Sequence, residues 1–251
     1  CEELSWWFNF IQARNACLNY LKTCNLILVK EVLMNLSTRK LTSYLMMAGP
    51  IGVFVVWGIL VEAIVGSSTV DGVENAGLFL QNASSAGSIA GVLEIIGMLF
   101  FLCQTLGLVL FARQLSEEGS SGAAFANLSA LLGLILSAVL ISSSDLGLSA
   151  LAMGDKGFTS EALAMAQISV NSGASFGIFF SLAFGLVSIP MIGQASTSLK
   201  KYIGYALGIL MTILLVTELF SIETGDIGEI IVWLGASLIF VAAGFLNLKE
   251  E

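Results

Sequence analysis

Long apolar stretches separated by short polar ones recur along most of the chain. Each is close to the roughly twenty residues a helix needs to cross about 30 Å of hydrocarbon at 1.5 Å per residue. Hydropathy places six of them, at about residues 44–66, 87–112, 123–153, 168–192, 202–221 and 227–248. The third has two readings: it runs through to Met153, or it stops at Ser142 to Asp145, which serve equally well as the N-cap of a short interfacial helix. Polar connections fall at 67–85, with Asp71 and Glu74, and at 116–122, with Glu117 and Glu118. A third follows Met153 and holds Asp155, Lys156 and Glu161.

The runs are apolar on every face, as from Leu131 to Val139, whereas strands of a membrane β-barrel alternate apolar and polar positions over about ten residues. The expected fold class is therefore all-α, a polytopic membrane protein with six transmembrane helices in three hairpins. Residues 34–251 form this domain. Residues 1–33 stand apart, holding Cys1, Cys17, Cys24, Trp6 and Trp7 among balanced charges. They read either as an interfacial helix, with Trp7, Phe10, Ile11, Leu18 and Leu21 near one face, or as non-native upstream sequence before a start at Met34.

Composition agrees with lipid as the solvent: 57% of the 251 residues are hydrophobic and 11% charged, against about 25% charged in soluble domains. The net charge of −8 is spread unevenly. Arg39, Lys40, Arg113, Lys200, Lys201 and Lys249 flank the spans on one side of a six-span arrangement, while Lys156 stands on the other among Asp71, Glu74, Asp155, Glu161, Glu223 and Asp226. Basic residues of short loops accumulate in the cytoplasm, so both ends of the chain are expected there, in a multi-pass protein of the cell membrane.

The chain has no histidine, which excludes histidine-ligated haem, His-bearing metal sites, Ser-His hydrolysis and histidine proton relays. The cysteines show no CxxC or metal-ligand spacing, and neither a Walker A loop nor a dinucleotide glycine motif occurs. No enzyme activity, no cofactor, no metal site and no nucleic-acid partner is expected. The expected partners are the lipid bilayer and either another membrane protein or a second copy of the chain.

Carboxylates inside the spans carry the candidate chemistry, because an ionisable group in hydrocarbon is costly and marks a site by default. Glu62, Glu94, Glu218 and Glu229 fall roughly 9 to 13 Å from the middle of their spans, all toward the acidic side, and Asp145 joins them if span three continues past its serines. Glu94, Glu218, Asp145 and Glu62 are the candidate cation or proton sites. Glu62 and Glu229 also lie close enough to the boundary to reach water directly.

Helical spacing sets Glu94 on a face with Ala90, Gly97, Phe101 and Gln104, and Glu218 on one with Gly204, Gly208 and Met211. Span four carries a polar stripe of Gln167, Asn171, Ser181, Gly185 and Ser188; span three adds Asn127, Ala130, Leu134 and Ser137. Gln104, Gln167, Asn171 and Ser181 are the candidate path-lining residues. Small and polar stripes of this kind also arise where helices pack closely. A glycosylation sequon stands at Asn82, Ala83 and Ser84.

The layout, with its basic start, polar first outer loop, glycine-rich second span ending at Ala112 and Arg113, and final hairpin from Lys200 to Lys249, resembles a loose group of uncharacterised small prokaryotic six-span membrane proteins. That resemblance covers residues 34–251 and implies no activity. Two functions fit the residues: a non-catalytic accessory, sensor or assembly subunit, and a transporter or channel-like protein for a proton, cation or small polar solute.

Overall fold

The computed structural model describes residues 37–70, 73–171, 173–220, 222 and 225–249, so the two readings of residues 1–33 lie outside it. The described chain runs through α1 (Thr38–Ile64), β1 (Thr69–Val70), β2 (Val73–Glu74), α2 (Ala76–Ala86), α3 (Ser88–Gln114) and α4 (Ala123–Gly154). It continues through α5 (Thr159–Asn171), α6 (Gly173–Gly193), α7 (Ser198–Phe220) and α8 (Gly225–Lys249). Among the described residues, six helices are long and apolar enough to cross a membrane, α5 and α6 together supplying the fourth. The chain is an all-α polytopic membrane protein. Its outward surface carries Ile51, Ile59, Val92, Leu99, Leu131 and Ile209, which a water-soluble fold would bury and lipid accommodates.

Two boundaries differ from the hydropathy reading, and at span three the longer of its two readings holds. Span one begins at Thr38 rather than near residue 44, because Thr42 and Ser43 are fully buried and hydrogen-bonded; their polarity lowers hydropathy without marking a boundary. Span three runs unbroken from Ala123 to Gly154, since Ser143 and Ser144 turn inward onto neighbouring helices. Span four begins at Thr159 rather than near residue 168, with Ala162 and Ala166 buried and the polar side of α5 exposed.

The first polar connection also holds structure. Thr69–Val70 pairs antiparallel with Val73–Glu74, Thr69 opposite Glu74, and α2 follows. Asn75 caps α2 by accepting the Leu78 N–H at 3.0 Å, and Gly87, at φ +63, turns the chain into α3. Ala76 of α2 packs with Ala150 and Ala166 in a small core of its own, and Asn82 donates its amide to the Ser67 carbonyl at 2.7 Å. The sequon asparagine thus ties α2 to the loop before β1.

Between α1 and α3 the backbones meet directly: a Cβ on Gly107 would stand 2.9 Å from the Met46 nitrogen, and one on Gly49 would overlap the Gln104 backbone. Chain neighbours α3 and α4, α4 and α6, α6 and α7, and α7 and α8 pack side by side. Gly244 of α8 lies against Met46 of α1, which brings the last span back to the first. Aromatic rings occupy the middle. Phe180 stacks on Phe184 at 4.3 Å and meets Trp233 at 4.6 Å; Phe184 meets Phe240 at 4.9 Å; Phe101 meets Phe176 at 5.1 Å. Each such pair adds about 0.5–1.5 kcal/mol beyond its buried area.

Candidate functional site

At the end of the bundle away from Arg39 and Lys200, a cavity of about 380 Å³ opens among α1, α3, α4, α5 and α6, and both Glu94 and Glu62 line it. Glu94 comes from the inward face of α3, where Ala90, Gly97, Phe101 and Gln104 are all buried. It is partly buried itself, and its Oε1 accepts a hydrogen bond from the Ser144 hydroxyl of α4 at 3.0 Å. Ser143, one residue earlier, turns toward α5: the Ser169 hydroxyl donates to the Ser143 carbonyl at 3.0 Å and the Ser143 hydroxyl points back at the Ser169 carbonyl at 3.3 Å. These bonds tie three spans around the carboxylate.

The wall on the α1 side has an unusual backbone. Residues Phe54–Val61 form a π-helix, whose i to i+5 hydrogen bonds widen the turn, a feature frequent at functional sites. Trp57 lies within that segment and lines the cavity, and Glu62 follows directly after it. The indole N–H of Trp57 is buried against Gly97, where a Cβ would overlap it, and makes no hydrogen bond among the described residues. Leaving such a donor unsatisfied costs about 1–3 kcal/mol.

The other candidate residues are not brought to this cavity. Asp145 is exposed: α4 does continue past its serines, but Ser144 takes the inward position and Asp145, about 100° further round, faces out. Glu218 is partly buried against Gly177 of α6, where a Cβ would overlap its carboxylate. Phe176, one residue before Gly177, lines the Glu94 cavity, so Glu218 and Glu94 stand on different sides of α6. The side chain of Glu229 lies outside the described residues.

Of the stripe residues, Gln104 is 2% exposed in the α1–α3 contact, and Ser181 is 2% exposed and gives its hydroxyl to the Ile178 carbonyl of its own helix at 2.9 Å. Ser188 does the same toward Gly185 at 2.6 Å and rests on Gly208 of α7. Gln167 and Asn171 are exposed and bonded to each other at 3.2 Å. On α4 the stripe divides: Ala130 is buried and Ser137 is partly buried and donates its hydroxyl to Thr105 of α3 at 2.7 Å, whereas Asn127 and Leu134 are exposed.

Two polar groupings escaped the sequence reading. Buried Ser129 of α4 donates to the Ala183 carbonyl of α6 at 2.6 Å, a cross-helix bond that small-residue periodicity does not distinguish from packing. At the basic end, Asn247 of α8 donates to Ser43 at 3.0 Å and to the Gln114 Oε1 at 3.3 Å, while the Gln114 amide donates to Thr42 at 2.9 Å. This network joins the first, second and last spans beneath a second cavity of about 270 Å³, bordered by Arg39, Glu117, Gln194 and Lys200. A polar residue near the basic end of each of these spans was its one visible signal.

No family model, no curated protein and no solved structure matches the chain. The class is defined by the fold itself: an integral, multi-pass membrane protein with one cavity lined by Glu94 and Glu62 and another bordered by Arg39 and Lys200.

Proposed function

We propose that the chain is a non-catalytic accessory, sensor or assembly subunit of the cell membrane, held in lipid and working against another membrane protein or a second copy of itself. The observation that carries this reading is the aromatic centre. Phe180 and Phe184 are each 1% exposed, Phe240 is fully buried, and their rings touch those of Trp233 and Phe176. A path for an ion or polar solute needs wettable or polar groups at that depth, and an apolar constriction of this kind opposes hydration. Buried polar side chains of the spans are engaged at helix contacts, as Ser129, Ser137 and Asn247 illustrate. Arg39, Lys200 and Asn247 border one cavity, which supports placing that end of the bundle in the cytoplasm by the bias of basic residues to that side.

The second reading is transport of a proton, cation or small polar solute, and the cavity around Glu94 and Glu62 favours it. Ion flux into proteoliposomes separates the two. The accessory reading expects flux equal to that of protein-free vesicles, before and after Glu94→Gln and Glu218→Gln. Flux above that level that disappears with Glu94→Gln in a folded protein would overturn it in favour of transport.

A further inference from the structure

The Glu94 cavity is chemically one-sided. Its lining holds two carboxylates, Glu94 and Glu62, and no lysine or arginine. The serines of α4 and α5 on its wall direct their hydroxyl protons into the protein: Ser144 to Glu94 at 3.0 Å, Ser169 to the Ser143 carbonyl at 3.0 Å and Ser143 to the Ser169 carbonyl at 3.3 Å. What these hydroxyls have left for the cavity is acceptor lone pairs. The indole N–H of Trp57 is withdrawn as well, buried against Gly97, which is not on the lining. Such a wall presents negative charge and acceptors, which complement a cation and repel an anion.

Three aromatic rings complete it. Trp57 of α1, Phe79 of α2 and Phe176 of α6 all line the cavity, and each is held in place by packing. Trp57 meets Phe101 at 6.2 Å, Phe176 meets Phe101 at 5.1 Å and Trp233 at 5.9 Å, and Phe79 packs with Ala76, Ala150 and Ala166. Rings beside a carboxylate suit organic ammonium ions, whose charge is attracted by the π-systems and whose methyl groups take apolar contact. Size points the same way. At about 380 Å³ the cavity falls within the range of about 300–1,000 Å³ of small-molecule sites, and among the described residues no three acids or cysteines gather to hold a bare metal ion.

We propose that this cavity binds a small organic ammonium ion, a quaternary one above all, between the three rings and the charges of Glu94 and Glu62. A quaternary nitrogen has no N–H, so it calls on the charge of Glu94 and not on a free lone pair; the bond from Ser144 and the carboxylate's further interactions hold that charge in place. Glu62 is exposed, so its charge stands at the mouth, where water and salt screen it more. The zwitterionic head group of a phospholipid would set a phosphate beside two acids with no basic partner on the lining, so the occupant is the free solute. Such a ligand gives content to the sensor form of the function proposed above, on which this assignment rests: the aromatic centre lets the ion be held without being passed on.

The test is equilibrium binding of radiolabelled choline to the full chain in detergent micelles, with 3,3-dimethyl-1-butanol, in which carbon replaces the charged nitrogen, as competitor. Choline is expected to bind with a Kd of about 1 mM or tighter, and the neutral isostere at least about tenfold more weakly. Glu94→Gln is expected to weaken choline about tenfold, and Phe79→Leu, which keeps the wall apolar but removes a ring, about two- to fivefold. Asp145→Asn, exposed and off the lining, is expected to stay within about twofold. Glycerophosphocholine, the lipid head group in soluble form, is expected not to displace choline. Should Glu94→Gln fail to fold, Phe79→Leu decides, and unchanged choline affinity there overturns the assignment. So does absence of choline binding at about 5 mM, equal binding of the isostere, displacement by glycerophosphocholine, or a loss in Asp145→Asn equal to that in Glu94→Gln. Choline flux into proteoliposomes alongside specific binding would overturn the sensor reading and leave the site standing, whereas absent binding with absent flux removes the site and leaves the accessory role.

Discussion

Gly107 and Gly49 make the α1–α3 contact a sharp place to test the packing. A Cβ at Gly107 would sit 2.9 Å from the Met46 nitrogen and 3.1 Å from the Leu45 carbonyl carbon; one at Gly49 would come within 2.6 Å of the Gln104 Cα. Carbon contacts are optimal at about 3.5–4.0 Å, and these partners are backbone atoms that cannot rotate away. Alanine at either position therefore forces the helices apart by roughly 0.5–1 Å, a gap that forfeits a quarter to a half of the attraction at each neighbouring contact. Overpacking of this kind costs about 1–3 kcal/mol, against up to about 1 kcal/mol regained from alanine's helix propensity. Gly91 is the control, because its nearest neighbour is the flexible end of Leu148 at 3.7 Å. Unfolding in mixed dodecyl sulfate micelles, followed by tryptophan fluorescence, is expected to show Gly107→Ala and Gly49→Ala destabilised by about 1–2 kcal/mol and Gly91→Ala unchanged or slightly stabilised. The double alanine variant should lose less than the sum, since separating the helices for one relieves the other. Equal stability of all three single variants would refute the close backbone approach.

Three further outcomes are expected. A double-mutant cycle on Ser144→Ala and Glu94→Leu should give a coupling of about 0.6 kcal/mol and no more than about 1.7, the range of interhelical hydrogen bonds in membranes; zero coupling would mean the 3.0 Å bond is not formed. Asn247→Leu breaks two bonds and leaves buried Ser43 without that donor, so unfolding should show a loss of about 1–3 kcal/mol, where Asn171→Leu, exposed on α5, should show less than about 0.5. Trp57→Phe removes a buried N–H that has no partner among the described residues, so its net cost should stay below about 1 kcal/mol despite the lost ring area; a cost above about 3 would show that the indole donor is satisfied.

Hydropathy made the six spans legible because lipid demands apolar side chains over a fixed length, whatever packs against what. The same averaging concealed structure wherever a helix is half polar. The α2 segment reads as a polar loop, although Ala76, Phe79, Leu80 and Ala83 follow helical spacing behind the Asn75 cap. The start of α5 was hidden likewise by Thr159, Ser160 and Glu161. At the candidate site, the inward face of α3 was readable from Ala90, Glu94, Gly97 and Phe101, since one acid stood on an otherwise small and aromatic stripe. The choice between Ser144 and Asp145 on α4 was not readable: four consecutive polar residues cover the whole circumference, and a rotation of about 100° decides which one meets Glu94. Partners fifty or more positions apart, such as Ser144 with Glu94 or Asn247 with Ser43, leave no local trace in one sequence. The π-helical turn at Phe54–Val61 has none either, since its residues are uniformly apolar.

The sealed centre is most directly tested by cysteine accessibility in intact membranes, with the native cysteines replaced by serine. Val187, fully buried on the same face of α6 as Phe180 and Phe184, and Ser196, exposed on the rim of the basic-end cavity, are each changed to cysteine and exposed to a membrane-impermeant thiosulfonate from both sides. Ser196→Cys is expected to react from one side and Val187→Cys from neither. Reaction of Val187→Cys at a rate comparable to Ser196→Cys, from either side, would contradict a dry aromatic barrier and with it a non-conducting role.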